Sequence, residues 1–137
     1  MREILFRGKR VDNGEWIEGY LLNAKWYLDD SPQTMIFPPN ATVYPGSEIS
    51  YWEDVIPETV DQFTELLDIE GHKIFEGDIM KTAVTGLTPH TGVVEFLDGA
   101  FGLKCTDGNA FFLCFIAENY KIIGNVHDQP ELMEVPK

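Results

Sequence analysis

Glu76 and Asp78 are the best-placed pair of carboxylates in the chain. Two residues apart on an extended strand, they would point to one face about 6 to 7 Å apart, close enough for acid and base work or for a cation. The plainer reading is a solvated edge, where carboxylates deter strand pairing. Structural zinc would need three or four nitrogen or sulfur ligands. The chain has His72, His90, His127, Cys105 and Cys114, widely spaced and without Cys-x-x-Cys or His-x-x-x-His, so no metal is expected. His72 and His90 read as residues of exposed polar loops. Ser31, Ser47 and Ser50 lack the glycines and the strand-to-helix turn of a nucleophile elbow. Gly-x-Gly-x-x-Gly is also absent, so no phosphate loop and no cofactor are expected. The residues therefore point to a protein that is not an enzyme.

Charge carries more information than catalysis. The 137 residues hold 23 acidic and 10 basic side chains, a formal net charge of -13. That balance argues against a surface that grips nucleic-acid phosphates broadly. Residues 48–78 hold ten acids against Lys73 alone, a net of -9, whereas residues 1–25 are nearly neutral at +1. The acidic stretch could dock a basic partner, with Glu53, Asp54, Glu58, Asp61 and Glu65 as the expected partner-binding residues. The alternative is a small nucleic-acid strip on the first hairpin, built from Arg7, Lys9, Arg10 and Trp16 by phosphate contact and stacking.

The elements that must position these residues read as strands. Apolar residues make up 44% and aromatics 12% of the chain, too much for disorder. One domain or two small β modules fit the length. Asn13-Gly14 predicts a type I′ hairpin with Val11 opposite Trp16, Lys9 opposite Glu18 and Phe6 opposite Leu21. Turn formers at Asp29-Asp30-Ser31-Pro32, Pro38-Pro39-Asn40 and Pro45-Gly46 divide the next stretch into short strands or loops. Pro57, early acids and the spacing of Val60, Phe63 and Leu67 predict a short helix within 57–67. Asp98-Gly99 and Asp107-Gly108 predict two tight hairpins. Their register lines up Val94, Leu103 and Phe112, then Phe96, Phe101 and Cys114, on the core face of a meander. Cys105 then opposes Ala110, on the order of 13 Å along the strand from Cys114, too far for a disulfide. Cys114 is expected in the core as an unreactive apolar residue. The reading is all-β with at most one or two short helices. It has an N-terminal hairpin and loop-rich part (1–56), a connector (57–72) and a barrel-like meander (73–137).

Met1–Arg7 contains only a three-residue apolar run, and the longest apolar stretch, Ala110–Ala117, is too short to span a bilayer. The expectation is a soluble, cytoplasmic protein that contacts no membrane.

Phe6-Arg7-Gly8-Lys9-Arg10, Glu15-Trp16-Ile17-Glu18-Gly19, Pro57-Glu58-Thr59-Val60, Ile74-Phe75-Glu76-Gly77-Asp78-Ile79, Gly92-Val93-Val94 and Ile123-Gly124-Asn125-Val126 occur in this order. In them the chain resembles the YopX family of phage and prophage proteins, from about Arg2 to about Leu132. The most specific part is Pro57–Val60 and Lys73–Ile79 with the intervening Gln62, Thr64 and Asp68. The chain departs from the family pattern at Asp61 and Glu65, where a Gly usually precedes the Gln and another follows the Thr; both changes are compatible with a short helix. The resemblance implies a β-rich fold encoded by a mobile element and no catalytic residues to carry over. Together with apolar residues on both faces of the meander, it leads to the expectation of a self-associating module that works by contact with host or phage proteins.

Overall fold

The computed structural model describes residues 4–26, 29–38 and 52–134. The expected turns at Pro39-Asn40 and Pro45-Gly46, and Glu48 of the acidic stretch, lie outside them. The chain forms two compact units, residues 1–62 and 63–137, and the fold is mainly β, as the spacing of turns and short apolar runs predicts.

In the first unit, β1 (Phe6–Lys9), β2 (Trp16–Trp26), β3 (Asp29–Phe37), β4 (Glu53–Asp54) and the start of β5 (Asp61–Leu67) form an antiparallel sheet in the order β4-β3-β2-β1-β5. Leu5, Met35, Ile36 and Val55 are its buried apolar residues. The first hairpin is real, but its register differs from the predicted one: Phe6 opposes Gly19, Arg7 opposes Glu18 and Lys9 opposes Trp16. The N–H of Arg10 donates to the Glu15 carbonyl at 2.9 Å, closing a four-residue loop in which only Gly14 has positive φ, 71°. A two-residue type I′ turn would need positive φ at Asn13 as well. The register moves by two positions, so each side chain keeps its face and only its partner changes. Gly19 is required by a close approach, since a Cβ there would collide with the Phe37 carbonyl of β3. Asp29-Asp30-Ser31-Pro32, expected as a turn, instead opens β3.

The helix expected within 57–67 is absent. Pro57–Thr59 make a single 3-10 turn and Asp61–Leu67 are strand. The Thr59 hydroxyl donates to the Ile56 carbonyl at 2.6 Å and accepts the Lys9 N–H at 2.9 Å, which ties the turn to β1. Asp61 and Gln62 then pair with Arg7 and Phe6. Pairing to a strand some 55 residues away in sequence outweighs a weak local helix signal, and no window of residues 57–67 contains it.

In the second unit, Phe63 and Leu67 of β5 pair with Phe75 and Lys73 of β6 (Lys73–Phe75). A five-stranded antiparallel sheet follows, in the order β10-β9-β8-β7-β11, from β7 (Asp78–Thr82), β8 (Thr91–Leu97), β9 (Ala100–Cys105), β10 (Ala110–Phe112) and β11 (Tyr120–Asn125). Ile74, Met80, Val94, Leu103 and Leu113 fill its core. The Asp98-Gly99 turn is as expected, with φ of 48° and 89°, and Val94 opposes Leu103 as predicted.

The next hairpin slips by one residue. The N–H of Cys105 donates to the Asn109 carbonyl at 2.8 Å, so the loop is Thr106, Asp107 and Gly108, with Gly108 at φ 91°. Leu103 therefore opposes Phe111 and not Phe112. A slip of one turns every side chain of the strand to the other face: Phe111 packs against the core and Phe112 is exposed. The chain then leaves the strand as a one-turn helix, α1 (Leu113–Ile116). Leu113 is buried there, while Cys114 faces solvent and Cys105 is the buried cysteine. The expectation of Cys114 and Phe112 in the core is thus overturned. Phe96, also placed in the core by the predicted rows, lies beyond it and is exposed.

Candidate functional site

The structure brings the two sets of charged residues singled out in the first unit together, base against acid. The Arg7 guanidinium holds Asp61 Oδ2 through Nε and Nη2, both at 3.1 Å, with both side chains largely buried. Arg7 and Lys9 also lie over the Trp16 ring, 4.8 and 5.5 Å from its centroid. Arg10 Nη2 contacts Asp12 at 2.7 Å and Glu53 at 3.3 Å. The expected basic strip exists as a cluster, but carboxylates from the acidic stretch neutralise much of it. Asp54 and Glu58 are exposed, and Glu65 is exposed in the second unit.

The motif residues are scaffold. Asp78 is only 2% exposed, and its carboxylate accepts the Phe75 N–H at 2.8 Å. Glu76 lies in the turn between β6 and β7, where Gly77 has φ 80°. Glu76 and Asp78 are therefore not neighbours on one strand face, contrary to the sequence-based expectation. The Thr64 hydroxyl donates to the Ile74 carbonyl at 2.8 Å and accepts the Leu66 N–H at 3.2 Å. Asp68 accepts N–H bonds from Glu70 and His72, both at 2.9 Å, and from Ile122 at 3.0 Å. Burial pushes the Asp68 pKa up, but these three bonds outweigh it and hold the carboxyl below the usual range.

His90 departs from the exposed-loop reading. Its ring stacks obliquely on Phe111, centroids 5.0 Å apart, and Nδ1 lies 2.8 Å from Asp107 Oδ2. Cys105 Sγ completes a group whose ligand atoms all lie within 4.8 Å of one another. Burial, and secondarily the Asp107 charge, push the Cys105 thiol up to about 11. The search for Cys-x-x-Cys spacing misses this group because the strand register, not sequence proximity, supplies His90.

Sequence reasoning also missed an apolar surface. Phe115 is 78% and Phe112 52% exposed, their ring centroids 6.3 Å apart. Beside them Leu97, Asp98, Gly102, Ala110, Phe111 and Phe112 line a shallow cavity of about 160 Å³. Strand β10, which carries no charged residue, is the terminal strand of its sheet. The one-residue slip creates this surface, so no pattern of alternation could reveal it. Among the described residues no helix is long and apolar enough to cross a membrane.

A crystal structure, that of protein EF1440 from Enterococcus faecalis, is similar to this chain at a TM-score of 0.62 and 24% identity, covering 98% of this chain and 100% of that one. At that identity the likeness speaks for the fold alone. A search of curated proteins finds no match. The family described as YopX protein matches residues 5–134, and with nearly the whole chain covered, this protein belongs to the YopX family.

Proposed function

We propose that this chain is a non-enzymatic, phage-encoded module of the bacterial cytoplasm that works by protein contact and self-associates through the β10 edge and α1. The observation that supports this reading is the pair of exposed rings, Phe112 and Phe115, on and next to an uncharged terminal strand. An uncovered apolar edge offers both unpaired main-chain groups and side-chain area to a second copy. Burying the exposed parts of two phenylalanines on each of two copies is worth on the order of 5 kcal/mol before the cost of association. Pairing of two edge strands adds main-chain hydrogen bonds, and a weak dimer, populated at high micromolar concentration, is expected. Asp54 and Glu58, exposed in the first unit, offer a charged contact to a basic host or phage protein.

Light scattering at high micromolar concentration is expected to give the mass of two chains. The doubly substituted Phe112→Asp, Phe115→Asp protein should give the mass of one, with unchanged circular dichroism. A single-chain mass for the wild type overturns the reading. Retardation of single-stranded nucleic acid at low salt, lost on Arg10→Glu, would favour the hairpin instead.

A further inference from the structure

We propose that His90, Cys105 and Asp107 form a divalent-cation site, zinc being the favoured ion, with His90 Nδ1, the Cys105 sulfur and one Asp107 carboxylate oxygen as ligands and a fourth position open to water or an external donor. The inference is independent of self-association. The ligand atoms already lie within 4.8 Å of one another. Tetrahedral zinc with bonds of about 2.0 Å to nitrogen and oxygen and about 2.3 Å to sulfur needs separations of about 3.3 to 3.5 Å. His90 and Asp107, now 2.8 Å apart, would separate slightly and the sulfur would close in.

The backbone holds all three residues without the ion. The N–H of Thr106 donates to the Thr91 carbonyl at 2.9 Å, joining the segments on which the ligands stand. The N–H of His90 donates to Thr82 Oγ1 at 2.9 Å. The second Asp107 oxygen accepts the Asn109 N–H at 3.0 Å, the kind of outer bond that orients a ligating carboxylate. Phe111 covers one side of the imidazole. One sulfur, one imidazole nitrogen and one carboxylate suit zinc, whereas magnesium and calcium prefer oxygen throughout. On binding, the S–H bond breaks, its proton passes to solvent and the thiolate pair forms the bond to the ion, with no change of oxidation state. The nearest rival, Asp68, Glu70 and His72, is disfavoured because both Asp68 oxygens are committed to main-chain N–H groups.

Cobalt(II) titrated into the reduced, chelator-stripped full-length protein reads the site directly. One ion per chain is expected to bind, with a thiolate-to-cobalt charge-transfer band in the near ultraviolet that zinc abolishes by displacement. Cys105→Ser should remove the band and Cys114→Ser should leave it. His90→Gln and Asp107→Asn should each weaken zinc binding at least about tenfold by calorimetry while the fold is kept. These two variants carry the test if Cys105→Ser does not fold. No saturable cobalt binding, a band that survives Cys105→Ser, or zinc affinity unmoved by both other variants would overturn the site.

Discussion

Glu65 has φ 70°, in the left-handed region where a Cβ crowds the following carbonyl. It stands where β5 slips against β6, between the paired Phe63 and Leu67, and the Thr64 hydroxyl beside it accepts the Leu66 N–H. The family resemblance places a glycine here, and the backbone explains why. Glu65→Gly is expected to raise stability by about 0.5 to 1 kcal/mol in denaturant unfolding, the relief of left-handed strain exceeding the greater chain entropy of glycine. Asp61, the other departure from the pattern, meets Arg7. Both departures are compatible with a helix from sequence, and the strand pairing that excludes one, Asp61 with Arg7 and Phe63 with Phe75, reaches outside residues 57–67. Among the described residues, the buried polar Thr59, Thr64, Asp68 and Asp78 all fall in the parts of Pro57–Ile79 that are most diagnostic of the family. The signal that identifies the family is thus a signal of folding, since a buried polar group tolerates few substitutes for its partner.

Strand β10 and helix α1 show how little separates an accurate sequence reading from an inverted one. The turn at Asp98-Gly99 has two residues, whereas the turn containing Asp107-Gly108 has three. Both pairs read alike, since a glycine at positive φ serves either loop. The extra loop residue exchanges Phe112 for Phe111 and, with α1, turns Cys114 out to solvent, while Cys105 is buried on the β9 face that carries Leu103. This exchange is measurable by thiol labelling. With the metal-free protein and a thiol reagent, one cysteine should react fast and one slowly, and Cys114→Ser should remove the fast phase. Absence of a fast phase from the wild type would support the two-residue turn instead.

Acid stability reflects the state of the whole molecule. Asp68 ties the 68–72 loop to β11 through an ionised carboxylate whose pKa is lowered by folding. Its contribution is therefore complete above the unfolded carboxylate range, near pH 4, and is lost as pH falls through the lower folded value. Asp68→Asn is expected to lose about 2 kcal/mol at pH 6. The gap to the wild type should shrink as pH falls from about 5 toward 2, followed by urea unfolding at each pH. A gap constant across that range would show that the charge plays no part.

The net charge of -13 is a property of composition. How that charge is used is not: some acids anchor main-chain N–H groups, some neutralise the arginines, and others face solvent. By itself the sequence determined a mainly β fold, the positions of the first hairpin and the Asp98-Gly99 turn, and membership of the family, because alternation, turn chemistry and motif order are local. Tertiary structure alone decided loop lengths, hence which phenylalanine is buried and that Cys114 faces solvent. It also decided the pairing of Arg7 with Asp61 and the gathering of His90, Cys105 and Asp107. Each depends on register between strands, and a shift of one residue, invisible in composition, reverses a face.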